Sequence, residues 1–403
     1  MRHRRARGAP AANGSVMLRD TQVELVNRVL GYIDNRTTQM NERVYLNDVS
    51  TYTSLEQARL EREKFFRQMP QFLTMSCQIP NPGDYFTDDL GGVPILLVRG
   101  RDGVARAFLN VCRHRGARVA AGSGKGQRAF ICPYHGWTYN TEGGLVALTP
   151  PDGFPDMTCA ERSLTPLPLA EGHGMIWVRP SPGDAFDLDE TLGGLAPELA
   201  NYDLGGFVPY KTATIAKPMN WKLVVDTFLE TWHVATLHRL TVASVFQPNV
   251  NAYDAFGRNG RLIIPRRSFK DMKGKPEAEW DVPLHSAIVY TLFPNTLLVW
   301  QGKHLETWRS FPRGDGANEC ITEATLYLPR APETQKEIDY GERNMKLLLD
   351  TVEQEDFPVA ADIHAGAHTP AQRHTTFGRN EPGLQHYHRT VREALGLPDA
   401  ANA

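Results

Sequence analysis

The sequence predicts an α+β protein of two domains: a small all-β domain, then one in which an antiparallel sheet is covered by helices. Three observations carry this reading. From about residue 45 to 180 the chain is a series of short apolar runs cut by turn signals. The stretch Pro180-Ser181-Pro182-Gly183-Asp184 then reads as a boundary. Beyond it, strand-like runs and helical periods alternate, as an α+β domain requires. At 403 residues the chain is long enough for two domains, each with its own core. The expected division is 1–44, a tail and a helix packing on the second domain; 45–182, the β domain; and 183–403, the mixed domain.

The elements follow in order. Residues 1–15 are basic at the start, lack an apolar stretch behind the charges, and read as a tail. Thr21–Arg36 is the first amphipathic helix. Strands are expected at Pro94–Arg99, Ala105–Asn110, Arg128–Cys132, Trp137–Asn140 and Met175–Val178. Asp102-Gly103 and Glu142-Gly143-Gly144 supply hairpin turns. In the second domain Trp221, Val224, Val225, Phe228, Trp232 and Val234 recur at helical spacing and predict one helix over Asn220–Leu237. Ser286–Trp300 and Ile321–Leu328 read as strands, Ala331–Asp350 as a long helix opening after Pro332, and Gly383–Leu395 as the closing helix.

Composition removes several classes of function. The net charge of −2 gives no basic patch for nucleic acid or an anionic membrane. No apolar run approaches the roughly 18 residues of a membrane span. The five cysteines, Cys77, Cys112, Cys132, Cys159 and Cys320, are not spaced as a disulfide framework, so a reducing cytoplasm is the expected location. Cys77, Cys159 and Cys320 read as small buried hydrophobes. No G-x-G-x-x-G follows a strand, and Gly122-Ser123-Gly124-Lys125-Gly126 lacks the end of a phosphate loop. The chain therefore has no recognisable nucleotide or flavin domain of its own.

Cys112, His114, Cys132 and His135 form the pattern C-x-H-x17-C-x2-H. Two thiolates can hold one iron and two neutral imidazoles the other iron of a [2Fe–2S] cluster. Trading thiolates for imidazoles removes negative charge and raises the reduction potential, which suits an electron relay. A Cys2His2 zinc site is the alternative, but zinc ligands more often pair like with like, as C-x2-C and then two histidines. Gly116 and Gly136 permit sharp turns beside the ligands, and Pro133 stiffens the second loop. The loops CRHRGA and CPYHGW closely resemble those of Rieske proteins.

A second constellation, Asp226-x3-Glu230-x2-His233-x4-His238, lies on the expected helix, with 226, 230 and 233 on one face. Two histidines and a carboxylate on one side of an iron leave positions open for O2. The segment NWKLVVDTFLETWHVATLH resembles the iron-binding helix of Rieske non-haem iron oxygenase α subunits. The likeness continues through Phe293-Pro294-Asn295 to GLQHYH near the end. It implies a helix-grip catalytic domain in which His233 and His238 bind a mononuclear Fe(II). It also implies that Asp356, within Glu353-Gln354-Glu355-Asp356, is the third ligand rather than Glu353, Glu355 or Asp362. Glu230 stands where the family usually has an Asp that bridges from a neighbouring subunit's cluster histidine to an iron-binding histidine.

The resemblance further implies O2 as co-substrate and NAD(P)H used indirectly, through a reductase with or without a ferredoxin. It implies head-to-tail packing as a homotrimer or as α3β3. The leading expectation is hydroxylation of an aromatic or related ring compound. The alternative is a monooxygenase that demethylates or hydroxylates an N-methyl, quaternary amine or O-methyl substrate: Glu230 resembles the branch acting on quaternary amines, and Thr227 stands where ring dioxygenases often carry Asn, so both weaken a simple assignment to aromatic cis-dihydroxylation. A Rieske electron carrier with a non-catalytic second domain is a further alternative. Substrate-lining residues are expected within Leu240–Phe256 and Ile288–Trp300. Arg266-Arg267 with Lys270 reads either as a carboxylate anchor or as a solvated basic loop.

Overall fold

Two central strands of the first unit each do two jobs, because their alternate side chains point to opposite faces. In Ile95–Arg99, Leu96 and Val98 enter one apolar core while Ile95 and Leu97 enter another. Phe108 and Ala107 of Ala105–Leu109 divide the same way. The computed structural model describes residues 16–399. The expected tail, residues 1–15, lies outside them. The chain forms two units: residues 59–191, and residues 16–58 together with 192–399. Both divisions fall later than the expected 44/45 and 182/183, for a physical reason in each case. Tyr45–Asp48 pairs antiparallel with His374–Phe377, which commits residues after 44 to the second unit. His173 Nε2 lies 2.6 Å from Asp189, which holds the Pro/Gly-rich stretch to the first unit.

Residues 59–191 carry only antiparallel pairs. The largest sheet runs Pro166–Leu167, Ala105–Leu109, Ile95–Arg99, Tyr85–Asp88 and Ser123–Gly124. A second sheet joins Leu169–Gly172, Met175–Val178 and Gln71–Met75, and a third joins Ala129–Ile131, Thr138–Asn140 and Leu145–Ala147. The expected turns at Gly103 and Gly143 have positive φ, 80° and 85°, as hairpin glycines do.

The second unit is built on a seven-stranded antiparallel sheet. From one edge the strands are Val208–Lys217, Glu319–Leu328, Leu305–Arg313, Thr296–Trp300, Ser286–Leu292, Asn259–Pro265 and Ala252–Phe256. The expected strand Ser286–Trp300 is a hairpin, turning at Phe293-Pro294-Asn295 with Leu292 opposite Thr296. The first helix, Arg19–Asp34, buries Gln22, Leu25, Val26 and Val29, one face at helical spacing. The long helix begins at Gln335, later than expected, because Thr334 and Glu337 form a capping box there. It slackens into a π-turn over Val352–Asp356, just before Pro358, which has no N–H to donate back along the helix.

One expectation about this unit is corrected. Asn220–Leu237 is not a single helix: Lys222–Phe228 ends, and a short turn Val234–Leu237 starts after a break. The Glu230 carboxylate accepts the backbone N–H groups of Trp232 and His233 and so holds the turn that separates the two pieces. Asp226 consequently does not share a face with Glu230 and His233. It accepts from Tyr52 Oη at 2.7 Å and lies 2.8 Å from His388 Nε2.

Candidate metal centres

The two cysteine–histidine loops are copies of one turn. Gly116 N–H donates to Cys112 O (2.9 Å) and Cys112 N–H to Ala117 O (2.7 Å). Gly136 N–H donates to Cys132 O (3.0 Å) and Cys132 N–H to Trp137 O (2.8 Å). Both glycines have positive φ, 86° and 70°, so a side chain there would strain the turn. Cys112 and Cys132 are buried, whereas His114 and His135 are half-buried, so the imidazoles lie toward the surface of the unit. The His114 and His135 rings meet edge to face, 4.6 Å between centroids, and Trp137 stacks on His114 at 4.9 Å. His135 Nδ1 is buried without a hydrogen-bond partner, as a nitrogen reserved for a metal would be. Tyr139 Oη accepts from Arg113 N–H at 2.9 Å and lies 3.4 Å from Cys112 Sγ. Burial and the Cys112 sulfur push its phenol well up, so it stays protonated and donates to that sulfur.

In the second unit, one ligand atom each from His233, His238 and Asp356 lie within 4.8 Å of one another. Asp356 Oδ1 is 3.6 Å from His233 Nε2 and 3.2 Å from His238 Nε2. That oxygen is buried and makes no hydrogen bond, a costly state unless a cation completes it. The opposite ring nitrogens are both held by carboxylates. Glu230 Oε1 contacts His233 Nδ1, and Glu355 Oε2 contacts His238 Nδ1 at 2.7 Å while also accepting from Thr241 Oγ1 at 2.7 Å. Such partners fix the tautomer and aim each Nε2 inward. Burial pushes the His238 imidazole down, but Asp356 and Glu355 outweigh it and raise it above its ordinary value. This donor set, two imidazoles and one carboxylate with surplus negative charge, fits a divalent iron with open positions.

Two family models match the chain. The one described as "Ring hydroxylating alpha subunit (catalytic domain)" matches residues 204–397, and the one described as "Rieske [2Fe-2S] domain" matches residues 70–158. The chain belongs to the Rieske non-haem iron oxygenase α subunits. The cofactors that these two domains imply are accordingly a Rieske [2Fe–2S] cluster and a mononuclear iron. It is 33% identical over 190 residues to the carnitine monooxygenase oxygenase subunit of Acinetobacter baumannii, covering 46% of this chain and 51% of that one. It thus spans about half the length of that relative. With the chloroplastic choline monooxygenase of Spinacia oleracea it is 27% identical over 352 residues, 83% of this chain and 75% of the relative. A crystal structure of a quaternary ammonium Rieske monooxygenase shares the fold, with a TM-score of 0.75 at 21% identity over 87% of this chain and 95% of that one.

A cavity of about 440 Å3 adjoins His233, His238 and Asp356. His233, His238, Asp356 and Glu230 line one part of it. Its apolar wall includes Phe228, Val289, Val299 and Trp308. Of the residues expected to line a substrate site, Leu240 is instead 88% exposed, whereas Val242, Val245 and Phe246 reach the cavity. Arg266 lines it, but Arg267 and Lys270 are exposed. Cys320 is buried as expected, while Cys77 and Cys159 are only half-buried. Sequence reasoning weighed Glu355 as a ligand and missed its place behind His238. It missed Tyr139 altogether, since nothing in the spacing marks a tyrosine on the strand after the second loop. No helix among the described residues is long and apolar enough to cross a membrane.

Proposed function

We propose that this chain is the oxygenase component of a Rieske monooxygenase that oxidises an N-methyl group of a quaternary amine. The observation that carries the quaternary amine is the likeness to choline monooxygenase over most of the chain, joined at one residue by Glu230 in place of the usual Asp. The cavity suits such a substrate. Trp308 and Phe228, 5.1 Å apart, offer aromatic faces to a cation, and the buried carboxylate of Glu306 lies on the same wall. Ring hydroxylation, the leading expectation from sequence, gives way to this alternative.

In this reading Cys112, His114, Cys132 and His135 hold the cluster, and His233, His238 and Asp356 hold the iron. Binding and activation of O2 is the chemistry that a bound iron supplies there. Glu230 and Glu355 keep the two imidazoles in place, and the apolar wall excludes water. Hydroxylation of an N-methyl carbon gives a carbinolamine that breaks down to formaldehyde and the demethylated amine. The oxygenase works as a homotrimer, in which Glu230 also accepts from a cluster histidine of the neighbouring chain.

The test is single-turnover oxidation by the reduced holoenzyme over a panel of trimethylammonium compounds and simple arenes. Stoichiometric formaldehyde from an amine is expected, and His233→Ala should abolish it while leaving the cluster's visible spectrum intact. A cis-diol from an arene, with no formaldehyde from any amine, would return the ring-hydroxylating reading.

A further inference from the structure

His364 lies in the last turn of the helix Phe357–Ala367, and His368 is the residue that caps its end. Four residues apart on a helix, the two rings share one face. Their centroids are 4.9 Å apart with the planes at 88°, close to the 5.0 Å and 79° of His233 and His238. The two Nε2 atoms face each other at 3.4 Å. A third donor atom meets them from another element. Asn318, in the turn between the strands Leu305–Arg313 and Glu319–Leu328, places Oδ1 3.1 Å from His364 Nε2 and 2.9 Å from His368 Nε2. Asn318 Nδ2 donates to Asp315 Oδ2 at 2.7 Å, so the amide oxygen is the atom turned toward the rings. Asp315 Oδ1 accepts the N–H groups of Ala317 and Asn318 at 2.9 and 3.0 Å, and Asn220 Nδ2 donates to Ala317 O at 3.1 Å, which fixes the turn.

A divalent transition metal held at about 2.0–2.1 Å sets neighbouring ligand atoms about 2.9 to 3.4 Å apart, from octahedral to tetrahedral angles. The triangle of 2.9, 3.1 and 3.4 Å lies within that span. Hydrogen bonding alone serves these groups less well. Were both rings to donate Nε2–H to Asn318 Oδ1, two N–H groups would crowd one gap, and His364 Nδ1, buried without a partner, would stay bare. Burial, His368 and Lys222 push the His364 pKa down to about 4, so its ring is neutral at neutral pH, as a metal ligand must be. Lys222 disfavours a further cation here, and the Asp315 carboxylate behind Asn318 works the other way. His364 is buried and His368 exposed, so the three donors open to solvent on one side, where water can complete the coordination shell.

We propose that His364, His368 and Asn318 form a further metal site, distinct from both iron centres, that takes Zn2+ or a similar divalent transition ion. Two imidazoles and one amide oxygen suit such an ion better than Mg2+ or Ca2+, which prefer all-oxygen shells. The bound ion clamps the helix Phe357–Ala367 onto the turn at 314–318, and so steadies the helix that opens beside Asp356. The site does not depend on which substrate the oxygenase takes.

The test titrates the holoenzyme, its cluster and mononuclear iron in place, anaerobically with Zn2+ against a chromophoric zinc chelator. Wild type should bind about one Zn2+ per chain at micromolar concentration or below, with no iron released. His368→Gln, a change at an exposed position, should weaken that binding by about 100-fold or more, since losing a ligand costs at least as much as losing a residue behind one. Asn318→Ala should weaken it by about tenfold. Zn2+ should raise the Tm of wild type and leave that of His368→Gln unchanged. No binding at micromolar Zn2+, uptake matched by an equal release of iron, or wild-type affinity in His368→Gln would each overturn the site.

Discussion

Asp356 Oδ1 is buried without a hydrogen bond, and that is tolerable only if a cation takes its charge. The histidines opposite it owe their aim to Glu230 and Glu355 rather than to their backbone positions, since His233 and His238 lie on either side of a four-residue turn. Glu355 is thus a positioning residue. Glu355→Gln keeps the shape but loses the charge that holds His238, and should weaken iron binding about 10- to 100-fold, as changes behind a metal ligand commonly do. Equilibrium titration of the apo site with Fe(II), read against an unchanged cluster spectrum, checks this. Affinity equal to wild type would mean that Thr241 and burial suffice to hold the ring.

At the scale of elements, the Rieske loops and the helix behind the iron each depend on one added interaction. In the loops it is the Tyr139 hydroxyl on Cys112 Sγ, from a strand that neither ligand motif includes. A hydrogen bond to a ligand sulfur stabilises the reduced cluster, so Tyr139→Phe should lower the midpoint potential by an amount on the order of tens of millivolts. Protein-film voltammetry would show it, and an unchanged potential would remove the hydroxyl from the account.

The helix Phe357–Ala367 carries His364, whose pKa burial, His368 and Lys222 push down to about 4. Asp315 opposes them, and Asn318 Oδ1 lies 3.1 Å from His364 Nε2. An unfolded His near 6.5 takes up a proton that the folded one refuses. The stabilisation is therefore present above pH 6.5 and is lost as pH falls toward 4. His364→Asn should flatten the fall of Tm between those limits. If the acid limbs of mutant and wild type coincide, His364 is not what titrates.

For the whole molecule, two metal sites in two compact units should respond separately. Chelation by a ferrous chelator should take iron from about three to about two per chain, end oxygenation and spare the [2Fe–2S] spectrum. Fe(II) should then restore turnover. Bleaching of the cluster in step with loss of activity would mean that the two sites do not stand apart.

What the sequence determined by itself is the part of the chemistry set by short-range spacing. C-x-H and C-x2-H fix two ligands within a single turn, so the cluster loops were legible with their glycines, and most strands of the first unit with them. His233 and His238, four residues apart at the ends of one turn, were legible for the same reason. Only the tertiary structure decided what depends on contacts between distant segments. Residues 45–58 join the second unit because Tyr45–Asp48 pairs with a strand more than three hundred residues on. The break after Phe228 was hidden because apolar periodicity continues through it, while the cause is one carboxylate turning back onto two N–H groups. Of the basic run at 266–270, the cavity takes only Arg266, which follows the strand Asn259–Pro265 and bridges to Phe246, whereas Arg267 and Lys270 are exposed. Spacing along a chain specifies which groups a turn can bring together. Which buried charge goes unpaired, and so what it waits for, is settled when the sheet and helices close around it.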